Sequence, residues 1–382
     1  MIGKKIFHRE RDHYKWAKQK EYTCSQENID EKTRNKAVIA LEFLEQEFGK
    51  HFLRTHSINH PVKQKISNTA PWQIEEMIQF TETLRYLKET TTNYKKLMCK
   101  LLSEHESKRE GIPFVEIAQM LHREQMSVEF VLESEEQGEK RPDIQVINRS
   151  NGDKFYIEIS TLNSSEERKK IKNNHNFFYE QFNYVKPLLY FFGEQKKIIA
   201  DSEYPEIKVI IDGVRKRVEK EKQLIYYSDK RFNFLMAPIE NQESFNEVCR
   251  QNNINPLDFE GMPLNFDETN RLNNKIKKAK QIPKGYNGLL YISVNPIYFI
   301  TTSMDPVIQR LEAKIKEYKH LLGIVLFTKI VDTRDQVQLK MENHLYTRRN
   351  ISILCYESLF IYNNNCNVLV SDDTLQKIYK TL

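Results

Sequence analysis

The first third of the chain carries apolar residues at helical spacing. From Lys36 to Phe52 the apolar side chains recur every three or four residues, which predicts an amphipathic helix. The segment from Ser57 to Pro71 has two prolines among polar residues and predicts a loop. Trp72 to Leu102 predicts one or two further helices. We therefore expect a helical N-terminal region over residues 1 to 105.

From Ile112 onward, helical segments alternate with strand-like ones. The predicted helices are Ile112 to Glu124, Ser164 to Tyr190, Thr269 to Gln281 and Pro306 to His320. The predicted strands are Val128 to Leu132, Asp143 to Asn148, Lys154 to Thr161, Ile207 to Ile211, Gly288 to Val294 and Gly323 to Thr328. This alternation predicts a mixed α/β fold, a central mixed sheet with helices on its faces. We expect its core over residues 106 to 335 and a C-terminal extension, 336 to 382, packed on it.

The sharpest local signal is a hairpin over residues 143 to 161. Asn-Gly at positions 151 and 152 suits a two-residue hairpin loop, because such loops need positive φ. That loop places Asp143 opposite Ser160 and diagonal to Glu158 on one polar face, with β-carbons roughly 7 Å apart. The other face receives five apolar side chains that belong in a core: Ile144, Val146, Phe155, Ile157 and Ile159.

Two carboxylates at that separation can bind one hard divalent cation through oxygens at ~2.0–2.1 Å. Such a cation polarises a phosphodiester and lowers the pKa of a bound water. Glu116 supplies a third acid on the apolar stripe of its helix, where burial is costly without compensation. A metal ion, Arg123 or a backbone donor would each compensate it. The alternative for the hairpin is a solvent-facing pair of ordinary acids.

The acids and their neighbours form a recognisable order. In sequence they are Glu116 on a helix, Pro142-Asp143 on one strand and Glu158-Ile159-Ser160 on the next. Over residues 110 to 330 this order resembles the restriction-endonuclease-like, or PD-(D/E)xK, superfamily. The resemblance implies an α-β-β-β-α-β core and phosphodiester cleavage with Mg²⁺ or Mn²⁺. It implies metal binding by Asp143 and Glu158, with Glu116 assisting directly or indirectly.

The chain departs from this pattern at Ser160, where the superfamily has a catalytic lysine. Three outcomes stay open. The lysine has migrated to another element, or water on the metal suffices with Ser160 and Gln281 as hydrogen-bonding groups, or the site is catalytically silent. The candidates for a migrated lysine are Lys169, Lys170, Lys277 and Lys280.

Charge and cysteine content indicate the kind of partner and the cellular compartment. Lys and Arg outnumber Asp and Glu by 59 to 53, an excess compatible with a polyanionic partner, DNA or alternatively RNA. The residues predicted to contact nucleic acid are Lys275, Lys277, Lys278, Lys280 and Gln281, although a Lys-rich run is also typical of a solvated face. Five scattered cysteines and no apolar run of ~20 residues predict a cytoplasmic protein without disulfides or a membrane span.

Three hypotheses follow from these patterns. The first is a Mg²⁺-dependent endonuclease acting on DNA, with bacterial defence against foreign DNA as a suitable setting. The second is a catalytically silent nucleic-acid-binding or scaffold subunit with a nuclease-like fold. The third is an interaction protein whose N-terminal helices bind a partner or a second copy. Walker A, GxGxxG and GxSxG motifs are absent from the sequence, so ATP, nicotinamide and serine-hydrolase chemistry have no support.

Overall fold

The chain forms two compact units. The computed structural model describes residues 14–56, 60–68, 70–103, 111–131, 142–162, 165–183, 189–252, 259–262, 269–283, 285–295, 298–331, 334–351, 354–367 and 370–382. Unit 1 comprises Met1–Leu162 and Thr269–Leu382, and unit 2 comprises Asn163–Glu268. These units do not follow the three consecutive ranges predicted from the sequence, because the N-terminal helices and the last strands share one hydrophobic core with the main sheet.

Seven helices precede the first strand in the described part of the chain. They are α1 (Trp16–Cys24), α2 (Glu31–Phe48), α3 (Phe52–Thr55), α4 (Pro61–Ser67), α5 (Pro71–Thr90), α6 (Tyr94–Leu101) and α7 (Gly111–Arg123). Helix α2 begins before the predicted Lys36, because the Asp30 carboxylate caps it by accepting from the Thr33 N–H at 2.9 Å. The predicted loop from Ser57 to Pro71 contains α4. Pro61 stands at the start of that helix, where a missing N–H costs nothing.

The remaining elements alternate as the sequence predicts for a mixed fold. The strands are β1 (Met126–Phe130), β2 (Ile144–Asn148), β3 (Lys154–Thr161), β4 (Leu189–Gln195), β5 (Ile225–Ser228), β6 (Phe232–Pro238), β7 (Phe259–Glu260), β8 (Asn287–Ser293), β9 (Leu321–Val331), β10 (Val337–Lys340), β11 (His344–Ile351) and β12 (Leu354–Tyr362). The later helices are α8 (Glu166–Asn183), α9 (Tyr204–Glu221), α10 (Gln242–Gln251), α11 (Thr269–Ile276), α12 (Tyr298–Thr301), α13 (Met304–Ile315) and α14 (Asp372–Thr381). A 3₁₀ helix, Lys277–Gln281, continues from α11.

Unit 1 is built on an eight-stranded mixed sheet, which confirms the predicted α/β class. The strand order is β1-β2-β3-β8-β9-β12-β11-β10. The β3–β8 and β8–β9 pairs are parallel and the other pairs are antiparallel. Parallel neighbours need long crossovers. Unit 2 and α11 lie in the crossover from β3 to β8, and α12 and α13 lie in the crossover from β8 to β9.

The two faces of this sheet bury different cores. Ile157 and Ile159 of β3 point into the core that holds the N-terminal helices. Leu290 and Ile292 of β8 lie in the other core, together with Leu272 of α11 and further apolar residues of α13. Because side chains alternate along a strand, even-numbered β3 residues, including Glu158 and Ser160, face this second core.

Unit 2 has a four-stranded sheet of order β5-β6-β4-β7. One prediction for this unit is wrong: the predicted strand Ile207 to Ile211 lies within α9, where Ile207, Ile211 and Val218 are buried at helical spacing. The helix predicted from Ser164 to Tyr190 is confirmed over Glu166–Asn183, but its predicted C-terminal end, Tyr190, lies in β4. Short apolar runs do not distinguish strand from helix, because only a longer window exposes the period.

The turn between β2 and β3 is longer than predicted. The Asn148 N–H donates to the Asp153 carbonyl at 2.8 Å, and the Gly152 N–H donates to the Asn148 carbonyl at 2.8 Å. The Asn148 side chain accepts from the Ser150 N–H at 3.1 Å. Asp153 in turn accepts from the Ser371 N–H at 2.8 Å, which ties the turn to the start of α14. These contacts stabilise a four-residue turn instead of a two-residue loop.

The longer turn shifts the hairpin register by two residues. Ile144 pairs with Ile157, so the same register continued by one residue would place Asp143 opposite Glu158 rather than opposite Ser160. A shift of two leaves every side chain on its predicted face, because side chains alternate with a period of two. The predicted grouping of polar and apolar faces therefore holds while the predicted partner is wrong.

Candidate active site

In the described part of the chain, β2 pairs with β3 only as far as Ile157. Strand β2 begins at Ile144, which is in register with Ile157, whereas β3 continues to Thr161. The Ile159 N–H would otherwise bond to a longer β2, and it donates instead to Oδ2 of Asp143 at 2.9 Å. We call this region the edge niche. It comprises the Asp143 and Glu158 carboxylates, the Ile159 backbone, Lys278 and Gln281.

Asp143 is anchored from two sides. Besides the Ile159 N–H, its Oδ1 accepts from Nζ of Lys100 at 3.0 Å. Lys100 comes from α6, and its ammonium also lies 4.2 Å from the ring centroid of Phe114. The Asp143 side chain is 16% exposed, so it stands at the border between core and solvent. Both oxygens are held in place, which orients this carboxylate toward the open edge of β3.

Glu158 is 1% exposed and lies beneath the 3₁₀ helix Lys277–Gln281. Nζ of Lys278 is 3.7 Å from its Oε1 and 3.3 Å from the Ile159 carbonyl oxygen, to which it donates. With its amide nitrogen turned toward the carboxylate, Gln281 donates to Oε1 at 2.8 Å and to Oε2 at 3.1 Å. Residues three apart eclipse on a 3₁₀ helix, so Lys278 and Gln281 reach the same carboxylate. They supply the charge and hydrogen bonds that a buried carboxylate requires.

Ser160 lies two residues beyond Glu158 on the same face of β3. Its side chain is fully buried, and its Oγ has no hydrogen-bond partner among the described residues. A buried hydroxyl without a partner is uncommon, because it forfeits the hydrogen bonds it had in water. Ser160 therefore leaves a free hydrogen-bonding group beside the Glu158 carboxylate.

The donors of the edge niche suit a hard divalent cation. Mg²⁺ typically takes one or two carboxylates and keeps several waters. Asp143, Glu158 and the Ile159 carbonyl offer two carboxylates and a backbone oxygen at one strand edge. In the part of the chain that the structure describes, no three His, Cys, Asp or Glu side chains gather as a metal site. These oxygens are of the kind that Mg²⁺ or Mn²⁺ binds, and the described residues add no third acid to them.

The structure does not bring Glu116 to the edge niche. Its Oε1 accepts from Nζ of Lys329 at 2.7 Å and lies 3.8 Å from Nζ of Lys65. Both lysines also form ion pairs with Glu76. We call Lys65, Glu76, Glu116 and Lys329 the ion-pair quartet. It joins α4, α5 and α7 to β9, and Lys329 thus provides the compensation that the partial burial of Glu116 requires.

The ion-pair quartet lies on the opposite face of the sheet from Glu158. Glu158 is in register with Leu290 of β8, and Leu290 is in register with Ile324 of β9. Lys329 is five residues beyond Ile324, so its side chain points to the other face. At ordinary strand dimensions its Cα is about 10 Å across and about 17 Å along the sheet from Glu158. Glu116 is therefore a partner of Lys329 and not a third acid of the niche.

The quartet predicts a specific acid sensitivity. Burial would raise the pKa of Glu76, but Lys329 and Lys65 outweigh it and lower that pKa to about 2. A carboxyl with a depressed pKa in the folded state stabilises the protein above its unfolded pKa, and this stability is lost as pH falls. We expect Glu76 to contribute about 3 kcal/mol that disappears between pH about 4.5 and about 2. Urea unfolding followed by Trp16 fluorescence, with Glu76→Gln for comparison, measures this contribution. Parallel pH profiles for the two proteins would contradict it.

The other predicted lysines have separate locations. Lys169 and Lys170 lie on α8 in unit 2, where Lys169 pairs with Glu166 at 3.1 Å. Lys277 and Lys280 are exposed on the 3₁₀ helix, and Lys275 is half-buried on α11. Lys278 and Gln281 were predicted to contact nucleic acid together with Lys275, Lys277 and Lys280. In the structure, both Lys278 and Gln281 contact the Glu158 carboxylate.

Two members of the site carry no signal in the sequence. Lys100 meets Asp143 across 43 positions, and the Ile159 backbone enters the site only because β2 begins at Ile144, opposite Ile157. The spacing of Lys278 and Gln281 is the one local clue, since residues three apart share a helical face.

Comparison with known proteins identifies no relative of this chain. No family model, no curated protein and no solved structure matches it. Within the described ranges, no helix combines the length and apolar character needed to cross a membrane. Its function has to be inferred from the chemistry of the site, since an unassigned fold indicates no activity.

Proposed function

We propose that the protein is a divalent-metal-dependent nuclease that hydrolyses DNA phosphodiester bonds at the edge niche of unit 1. One observation carries the proposal. Asp143 accepts from the Ile159 N–H at the edge of β3, and Lys278 reaches both the Ile159 carbonyl and the Glu158 carboxylate from another element. Two carboxylates, a carbonyl and a lysine at one edge are the groups that metal-assisted phosphodiester hydrolysis uses.

The order of elements supports the same proposal. The chain runs through α7, β1, β2, β3, α11 and β8, with unit 2 inserted after β3. Leaving the insertion aside, this is the α-β-β-β-α-β order that the resemblance to restriction-endonuclease-like proteins implies. Of the two candidate acids, Asp143 immediately precedes β2 and Glu158 lies within β3, as that resemblance requires.

The role of each residue follows from its contacts. The Asp143 and Glu158 carboxylates and the Ile159 carbonyl would hold the cation, which polarises the phosphodiester and promotes ionisation of the attacking water. Gln281 orients Glu158 through two hydrogen bonds. The Lys278 ammonium takes the place of the lysine missing at position 160, donating to the scissile phosphate or the attacking water. The buried Ser160 hydroxyl offers that water a hydrogen bond.

The charge distribution favours a polyanionic substrate on unit 1. Unit 1 contains 43 Lys and Arg against 35 Asp and Glu, whereas unit 2 contains 16 against 18. The basic excess of the chain therefore belongs to the unit that carries the edge niche. Lys277 and Lys280 are exposed on the 3₁₀ helix that supplies Lys278, so the substrate backbone would pass beside the niche.

A catalytically silent nucleic-acid-binding subunit is the second candidate. Each candidate acid already has a lysine partner, Lys100 for Asp143 and Lys278 for Glu158. Such pairs neutralise the carboxylates without any metal, and they would preserve the fold after loss of activity. This reading predicts salt-sensitive DNA binding without cleavage.

A cleavage assay on an Asp143 variant separates these candidates. Purified protein is incubated with plasmid, linear DNA and RNA in Mg²⁺, Mn²⁺ or EDTA. We expect metal-dependent DNA cleavage that falls about a hundredfold in Asp143→Asn, which keeps an oxygen for the Ile159 N–H but loses the charge. Asp305→Asn on α13, exposed and outside the niche, is the matched control.

Three outcomes would each contradict a different part of the proposal: the activity, the site or the substrate. Binding without cleavage by the wild type favours the silent subunit. Cleavage that survives Asp143→Asn moves the reaction away from the edge niche. Cleavage of RNA alone would change the proposed substrate while retaining the site.

A further inference from the structure

The edge niche already contains a cation. Nζ of Lys278 lies 3.3 Å from the Ile159 carbonyl oxygen and 3.7 Å from Oε1 of Glu158. These two oxygens belong to the set that would hold a divalent ion. The ammonium group therefore stands against the same donors that a metal would use.

We propose that Lys278 regulates metal binding at this site by competing for it. Its ammonium occupies the cation position of the metal-free protein, and a divalent ion binds only when the ammonium moves away. This inference rests on the proposed function. It assigns one residue two successive positions, first as a substitute for the metal and then as the lysine beside the substrate phosphate.

Electrostatics makes the two cations exclusive. Two positive charges about 4 Å apart repel each other strongly when water is largely excluded. Glu158 is 1% exposed, so in the metal-free protein its charge needs a nearby cation. The Lys278 side chain is 30% exposed, which leaves a path toward solvent for its ammonium. Gln281 can remain on Glu158 throughout, because its amide is neutral.

Lys100 does not compete in this way. It approaches Asp143 from α6, and its ammonium is also held against the Phe114 ring. It neutralises one oxygen of Asp143, whereas Lys278 contacts both a carboxylate and the Ile159 carbonyl. The competing position thus belongs to the lysine of the 3₁₀ helix.

Competition has a measurable consequence for affinity. A ligand that must displace a group from its site binds with an apparent affinity reduced in proportion to the fraction of molecules whose site is vacant, here those in which the Lys278 ammonium has moved away. Removing the ammonium should therefore tighten metal binding about tenfold, within the usual range of coupling between two ligands. The same change should reduce cleavage, because the lysine beside the phosphate is lost. An ordinary structural lysine would change thermal stability but would not tighten metal binding.

Mn²⁺ binding to the full-length protein tests the inference. Dissociation constants are measured by electron paramagnetic resonance of free Mn²⁺ for wild type, Lys278→Met, Lys278→Arg and Lys277→Met. We expect about tenfold tighter binding for Lys278→Met and wild-type affinity for Lys278→Arg. Lys277→Met should also match the wild type, because it removes the same charge from the neighbouring exposed position. Thermal unfolding of each variant establishes that it is folded.

The outcomes distinguish this inference from the proposed function. Equal or weaker Mn²⁺ binding by Lys278→Met, alongside metal-dependent cleavage by the wild type, overturns the competition and leaves the nuclease intact. Equally tighter Mn²⁺ binding by Lys277→Met would show that the loss of any nearby positive charge has this effect, and it would also overturn the competition. Failure of both wild type and Lys278→Met to bind Mn²⁺ overturns both proposals. Tighter binding confined to Lys278→Met supports the competition even if cleavage is not detected.

Discussion

Replacing Glu158 by glutamine is expected to lower the rate of DNA cleavage by about a thousandfold and to weaken Mn²⁺ binding at least about tenfold. Glu158 is the more deeply buried of the two acids, so water cannot replace the attraction between its carboxylate and the metal ion. Glutamine keeps the size of the side chain but provides a neutral amide. The variant therefore separates charge from shape.

The folded state should tolerate this change. Gln281 can turn its amide to pair with a glutamine at position 158, and Lys278 retains its bond to the Ile159 carbonyl. Cleavage rates and Mn²⁺ affinity are measured with circular dichroism as the test of folding. Glu129→Gln serves as the matched control, because Glu129 is an exposed carboxylate on β1 of the same sheet. A folded Glu158→Gln protein with wild-type cleavage would remove Glu158 from the site.

Replacing Lys329 by methionine is expected to destabilise unit 1 by about 3–5 kcal/mol. The change leaves the buried Glu76 and the half-buried Glu116 with Lys65 as the remaining lysine of the quartet. Burial would lower the pKa of Lys329, but Glu116, Tyr356 and Glu76 outweigh it and raise that pKa, so this ammonium stays charged. Losing one partner of a buried pair is costly because the other charge remains without compensation.

Urea unfolding followed by the fluorescence of Trp16, which is buried in the unit 1 core, measures the effect. Lys18→Met is the control. Lys18 forms an exposed pair with Glu21, and its loss should have little effect. Adding Glu116→Gln to Lys329→Met should recover part of the lost stability, because it removes one of the uncompensated charges. Additive losses in the double variant would show that the two residues are not coupled.

Local patterns were sufficient for the elements around the site. The alternation of apolar and polar residues in β2 and β3 predicted which side chains face the N-terminal core, and that grouping survived a wrong turn length. The reason is that a register error of two preserves the face of every residue. Proline and Asn-Gly signals were less informative. Pro61 begins a helix, and the turn at Gly152 is held by contacts with a helix more than two hundred residues away.

The sequence by itself determined the mixed α/β class, the position of the hairpin and the two acids, Asp143 and Glu158, on its polar face. These features follow from the spacing of apolar side chains, every two residues in strands and about every four in helices, which can be read directly from the sequence. Tertiary structure alone decided the partners of each charge. Lys278 reaches Glu158 because β8 pairs in parallel beside β3 across an inserted unit, and Glu116 reaches Lys329 because α7 packs on the other face. Contacts at such separations follow from the strand order and packing of the whole sheet, on which local periodicity carries no information.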